Sequence, residues 1–346
     1  MATTFKTFLN NDITTTRTLL HEAIPVTGTI VSGTYNDENV KNFSHGIFQS
    51  VYDYPYLSSS ANQIFDLSVG YSADSALSAS SGVVEQSKKI NMYNQMAQVL
   101  VGHDVTGAIL KFDEDGNIAD GGTKLKECIF IDFSRLLYKD EIKKGSFSLE
   151  LGVTNAYGTP FGDIVTLADT NAANDYRVNS PAGEYAVLTA SGGTVTGTPN
   201  AGLIYYQAGI AVVTASVFGS LTSTTPEMNS AGETIDAVLT GSSITGSCDA
   251  FRHRLEDTNF NNTTELNSTI YFCRVNNNDF NYSANPTYLS ESKLRVKRTT
   301  SDAPISYITT VGLYSADNEL LAVAKLSEPL RKDPTNEMIL RVRLDY

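Results

Sequence analysis

Tyr185–Pro226 reads YAVLTASGGTVTGTPNAGLIYYQAGIAVVTASVFGSLTSTTP, 42 residues without one Asp, Glu, Lys or Arg. Solvated surfaces normally carry charge, and the cores of protein interfaces are depleted in it. A Gly-rich turn at Ser191–Gly202 separates two halves rich in Val, Ile, Thr and Tyr, so the stretch reads as β-structure. Two coverings fit it: the chain's own interior, as a pair of buried strands, or another subunit. The preferred reading is a subunit contact, with Tyr205, Tyr206, Ala208, Val212, Ala215 and Phe218 as its candidate residues.

Strand-like texture continues on both sides of this stretch. VTGTIVSGTY (26–35) and SFSLEL (146–151) alternate apolar and polar residues at period two, and Cys128–Leu137 is a strand with an apolar bias. Further strands are expected at Ser268–Val275, Lys293–Lys297, Ile305–Tyr314, Glu319–Leu326 and Met338–Tyr346. Spacings of roughly 10 to 20 residues between them favour a sandwich or barrel over a βαβ series. One segment is clearly helical: within Glu85–Val101, Ile90, Tyr93, Ala97 and Leu100 fall at helical spacing, Met92, Met96 and Val99 widen the stripe, and Gly102 stands where a helix would end. Asp12–Ile24 suits a short helix or an extended arm that Pro25 stops. The six aromatic residues Phe43, Phe48, Tyr52, Tyr54, Tyr56 and Phe65 need cover from the chain's own core or from a neighbour.

The expected fold is therefore mainly β, with antiparallel sandwich or barrel-like sheets, one or two helices, and room for an inserted second β-domain. The expected divisions are an N-terminal arm over 1–30, a main β-rich domain over 31–153 plus 247–346 that carries the helix 85–101, and a charge-poor inserted β region over 154–246. The arm is polar and has little core of its own, so it is expected to lie across a neighbouring subunit.

Composition narrows the function. Of 346 residues, 25 are Lys or Arg and 38 are Asp or Glu, a net charge of −13, while 41% are apolar and Ser, Thr and Asn make up about 28%. Phosphate contacts need clustered Lys and Arg, so direct nucleic-acid binding is not expected, nor is binding to an anionic membrane surface. Lys293, Arg295 and Lys297 share one face of an expected strand and are read as exposed or paired. The longest apolar-leaning run, Ala208–Phe218, is about half the ~20 residues of a membrane span. Met1–Asn11 has no apolar core of a secretory signal, which points to synthesis in a cytoplasm.

Chemistry is sparsely represented. His21, His45, His103 and His253 are scattered, Cys128, Cys248 and Cys273 form no metal-binding pair, and there is neither a phosphate-cradling loop nor a G-x-S-x-G elbow. Asp113, Asp115 and Asn117 imitate the start of a calcium loop, but Ile118 stands where Gly is required and Lys124 where a bidentate Glu is required. Catalytic, metal and cofactor residues are therefore not nominated. A glycosidase-like pair of carboxylates assembled in space is disfavoured because the chain has no Trp to form a sugar platform.

Recognition enters near the C-terminus. ITTVGLYSADNELLAVAKLSEPL (308–330) resembles a strand-turn-strand segment of phage tail-fibre and baseplate proteins. NDITTTRTLLHEAIPVTGTIVSGTY (11–35), HGIFQSVYDYPYLSSSANQIFDLSVGYS (45–72), SKKINMYNQMAQVLVG (87–102) and FNNTTELNSTIYFCRVN (260–276) are similar to a virion structural protein of contractile-tailed marine phages that infect cyanobacteria. Between about Thr154 and Gly246 the likeness is weakest. The resemblance implies a non-enzymatic component of the virion, in the tail or baseplate region, whose partners are copies of itself and other virion structural proteins. A neck or capsid-associated position, or a protein that binds a host surface glycan, are the alternatives, with glycan hydrolysis ranked below both.

Overall fold

The computed structural model describes residues 5–26, 38–118, 121–283, 285–297 and 299–346. It is mainly β, 41% strand and 16% helix. The strands are β1 (Ile13–Val26), β2 (Val40–Asn42), β3 (Gln49–Tyr52), β4 (Gln63–Tyr71), β5 (Glu127–Phe133), β6 (Glu141–Ile142), β7 (Ser148–Gly152), β8 (Ile164–Ala168), β9 (Arg177–Ser180), β10 (Gly183–Ser191), β11 (Asn200–Tyr205), β12 (Ile210–Thr214), β13 (Leu255–Val275), β14 (Leu289–Ser290), β15 (Lys293–Leu294), β16 (Ser306–Tyr314), β17 (Leu320–Lys332) and β18 (Met338–Asp345). The helices are α1 (Gln86–Leu100), α2 (Arg135–Tyr138), α3 (Ile235–Gly241) and α4 (Ile244–Arg254). The chain forms two units, residues 20–264 and residues 1–19 with 265–346, and the boundaries fall inside β1 and β13.

In the unit 20–264 the sheet runs β13-β7-β8-β10-β11-β12-β5-β4-β3-β2, with β6 beside β13 and β9 beside β10. Its central strands are apolar on both faces, and the two sets of side chains go to two different cores. On β5, Ile129, Ile131 and Phe133 enter the first core while Cys128 and Phe130 enter the second; on β12, Ala211 and Val213 enter the first, Ile210 and Val212 the second. This period-two division is what a strand covered on both sides requires. Phe133 on β5 meets Phe147 beside β7 at 5.9 Å and Phe260 on β13 at 5.2 Å between ring centres. Five inter-strand steps would separate β5 from β7 by roughly 24 Å in a flat sheet. The sheet therefore curls around the first core, in line with the barrel-like expectation.

Helices complete both cores. Ile235, Val238 and Leu239 of α3 and Ile244, Cys248 and Phe251 of α4 join the first; Met92, Tyr93, Ala97 and Leu100 of α1 join the second. α1 agrees with the helix expected from periodicity, although Val99 points to solvent rather than widening the apolar stripe. It reaches the sheet through Gly70 on β4, where an added Cβ would lie 2.7 Å from the Lys89 carbonyl oxygen and 2.8 Å from the Tyr93 nitrogen. The Lys89 ammonium is buried and donates to the carbonyls of Val84 (3.0 Å), Leu239 (2.6 Å) and Ser242 (2.6 Å), thereby closing the end of α3. Burial pushes its pKa down to about 8.

Two expectations give way here. The region 154–246 is not an inserted domain: β8, β10, β11 and β12 are interior members of the same sheet, and α3 and part of α4 lie within that region. Residues 265–346 separate from 31–153 instead of sharing one domain with them. The arm finds partners within its own chain: Phe5 packs on Tyr314 at 4.8 Å, Phe8 on Tyr271 at 5.4 Å, and Lys6 and Asp12 pair with Asp279 and Arg274. Of its two proposed conformations, Ile13–Val26 adopts the extended one. The strand expected over 26–35 falls, from residue 27 onward, outside the described residues.

Replacing Gly70 with Val drives a side chain into the α1 backbone. We expect a loss of about 1–3 kcal/mol, read as a lower urea midpoint at unchanged m-value; an unaltered midpoint would show that α1 does not rest on this residue.

Candidate functional site: an underpacked C-terminal unit

The six residues nominated for a subunit contact are part of the interior. Tyr205, Tyr206, Val212, Ala215 and Phe218 are buried and Ala208 is half-buried. Tyr205 stacks on Tyr185 with ring centres 5.1 Å apart, and the Tyr206 hydroxyl donates to the Asp169 carboxylate at 2.7 Å. Asp169 also accepts from the backbone nitrogens of Gly145 (2.8 Å) and Phe147 (2.9 Å), so it organises the turn before β7. The run is charge-free because β10, β11 and β12 face a core on each side, and a charge at most of these positions would be buried without a partner. The interface assignment is thus corrected. Ala215→Lys should abolish folding outright, visible as loss of soluble protein and of the near-UV signal; a folded, cooperative variant would contradict the burial.

Surface apolar residues lie elsewhere. Among the described residues of 20–264, 54 apolar side chains are buried and nine large ones are exposed; in 1–19 with 265–346 the numbers are three and fifteen. The three buried are Val275, Leu313 and Val342. A unit of about a hundred residues with so small a core falls far short of what holds an independent domain together.

Local polar ties order this unit instead. β18 pairs with the second half of β13 from Ser268↔Asp345 to Val275↔Met338, and β16 pairs with β17. The hairpin closes at Ser315–Asn318, where the Ser315 hydroxyl accepts from the nitrogens of Asp317 (3.2 Å) and Glu319 (3.1 Å) and Asn318 takes φ +64. At the other end the buried Lys332 ammonium donates to Asn277 O (3.0 Å), Asn281 Oδ1 (2.7 Å) and Asp333 O (2.8 Å). Between these ties the exposed positions include Tyr307 (52%), Leu321 (67%) and Val323 (51%). Tyr314 folds over Gly312, where an added Cβ would lie 2.9 Å from its ring. A groove of about 660 Å³ runs between the hairpin and the N-terminal residues, lined by Phe5, Phe8, Phe272, Phe280 and Leu340 among others. This arrangement can bind apolar protein surface.

The sheet also brings two carboxylates together. Asp66 on β4 and Asp132 on β5 stand directly opposite each other. Asp66 accepts from Ser50 Oγ (2.5 Å) and Gln63 Nε2 (2.7 Å). Burial, and then the Asp66 charge, push Asp132 up to about 6. Neither lines the polar cavity of about 550 Å³, whose carboxylates are Asp115 and Asp175, the latter ion-paired with Arg177. In the calcium-like loop, Lys124 pairs with the buried Asp113 and supplies the cation itself. No group of three or more His, Cys, Asp or Glu among the described residues could hold a metal ion.

The carboxylate pair gives a pH dependence. Because the folded state holds the Asp132 proton more tightly than the unfolded chain, whose carboxyl titrates near 3.8, stability from this group is greatest below pH 4 and falls as pH rises through 6. Asp132→Asn should therefore raise the melting temperature at pH 7, by an amount worth about 1 kcal/mol after allowance for partial exposure, and leave it unchanged at pH 4. A loss of stability at pH 7 would mean that the carboxylate is favourably bound.

Compared with known proteins, the chain matches no family model, no curated protein and no solved structure.

Proposed function

We propose that the chain is a non-enzymatic structural component of a tailed-phage virion, in the tail or baseplate region, and that it works by docking through residues 265–346 and the N-terminal segment packed on them. The observation that carries this reading is the inverted burial of that unit, three apolar side chains inside against fifteen outside. An assembly subunit has to remain soluble before docking and then bury surface repeatedly by one geometry. The resemblance of 308–330 to tail-fibre and baseplate segments falls on β16 and β17, the elements that expose Tyr307, Leu321 and Val323. Sequence likeness and missing core thus point to the same residues by independent routes.

Cryo-electron microscopy of purified virions tests the proposal. The expected result is density for this chain at the tail or baseplate with Leu321 and Val323 covered by neighbouring protein. Its absence from particles, or a C-terminal unit open to solvent in them, would overturn it.

A further inference from the structure

The polar cavity of about 550 Å³ lies wholly within the unit 20–264, and its size is that of sites which take small ligands. Its floor is Val187 and Thr189 of β10, with Asn200 of β11 directly opposite Thr189. The turn at Asp115–Asn117 forms one wall, and residues 170–177, which lead from β8 into β9, form the other. Both walls are fixed by the fold. The Gly116 carbonyl accepts from the buried Tyr185 hydroxyl at 2.9 Å, and a Cβ added at Gly116 would lie 3.1 Å from Val187 Cγ2, so the turn rests on β10. In the opposite wall the Asn171 carbonyl accepts from the nitrogens of Asn174 and Asp175, each at 3.0 Å.

We propose that this cavity binds a neutral saccharide through its carboxylates, side-chain amides and hydroxyls. The proposal does not rest on the docking role, which belongs to other residues. A sugar hydroxyl both donates and accepts, so a site for it needs donors and acceptors side by side. Asp115 and Asp175 supply acceptors and Arg177 supplies donors. The amides of Asn171 and Asn200 supply both, and neither amide has a hydrogen-bond partner among the described residues. A hydrogen bond with Asp113, and then one from the Asn117 nitrogen, hold the Asp115 carboxyl below the usual carboxylate range, which keeps it an acceptor. Val187 offers the C–H face of a sugar ring an apolar contact in place of an aromatic platform.

Other ligand classes fit less well. Two carboxylates against one guanidinium leave the lining with a net −1, which opposes phosphate, sulfate and carboxylate ligands. The cation that two carboxylates attract is already present as Arg177, ion-paired with Asp175. An apolar ligand would strip water from polar groups and give them nothing in return.

Saturation-transfer NMR of the full chain with glucose, galactose, mannose and N-acetylglucosamine, each at about 10 mM so that millimolar affinities register, tests the site. The expected result is transfer to at least one of the four, and weaker transfer to the 6-phosphate of the sugar that binds. Asn171→Ala removes an exposed amide that has no partner to lose, and should weaken binding roughly two- to tenfold at unchanged melting temperature. Asp115→Asn retains an acceptor for the Asn117 nitrogen while removing one negative charge, and should narrow the preference for the sugar over its phosphate. Asn174→Ala, in the same wall but outside the lining, should leave binding unaltered.

No transfer to any of the four sugars, or binding that Asn171→Ala leaves at wild-type strength, would overturn the site. Tighter binding of the phosphate than of its parent sugar would overturn the neutral class.

Discussion

An uncharged strand must be covered on both faces, and the unit 20–264 is built to meet that requirement. β10, β11, β12 and β5 place alternate side chains into two separate cores, so each needs its own lid. The curl of the sheet, closed by Phe133, Phe147 and Phe260 and by α3 and α4, supplies one; α1, lowered onto the sheet at Gly70, supplies the other. Buried polar groups are tolerated because they are spent on backbone: Lys89 on three carbonyls, and Asp169 on two backbone nitrogens and the Tyr206 hydroxyl.

The C-terminal unit follows the opposite logic. Its strands are held in register by turns and by the Lys332 hub rather than by apolar burial, which leaves Leu321, Val323 and Tyr307 facing outward on a scaffold that is already ordered. A surface prepared in this way loses little conformational entropy when it is covered. One unit has a complete core and the other does not, and the proposed work of the molecule follows from that contrast.

Much of the fold was legible in local pattern. The α1 stripe of Ile90, Tyr93, Ala97 and Leu100 has helical spacing, and the strands of the last third alternate visibly. α3 and α4 were missed because Ser, Thr and Gly dominate 240–247, so the i, i+3, i+4 set of Ile235, Val238 and Leu239 is too short to stand out. The role of the charge-free run was misread for a physical reason: a lack of charge reports that a segment is covered, not which chain covers it. The outward apolar face of the C-terminal unit is not legible in sequence, because its exposed Leu321 and Val323 look like those of any alternating strand. Only burial in three dimensions separates an outward apolar face from an inward one.

Pro329 lacks a backbone donor, and beside it the register of the hairpin jumps from Ile308↔Leu330 to Thr310↔Lys325. An apolar hairpin with an unbroken edge would invite strand after strand and grow without limit into a fibril. On β17 the proline and the jump in register break that regularity, so added pairing along this strand is disfavoured there.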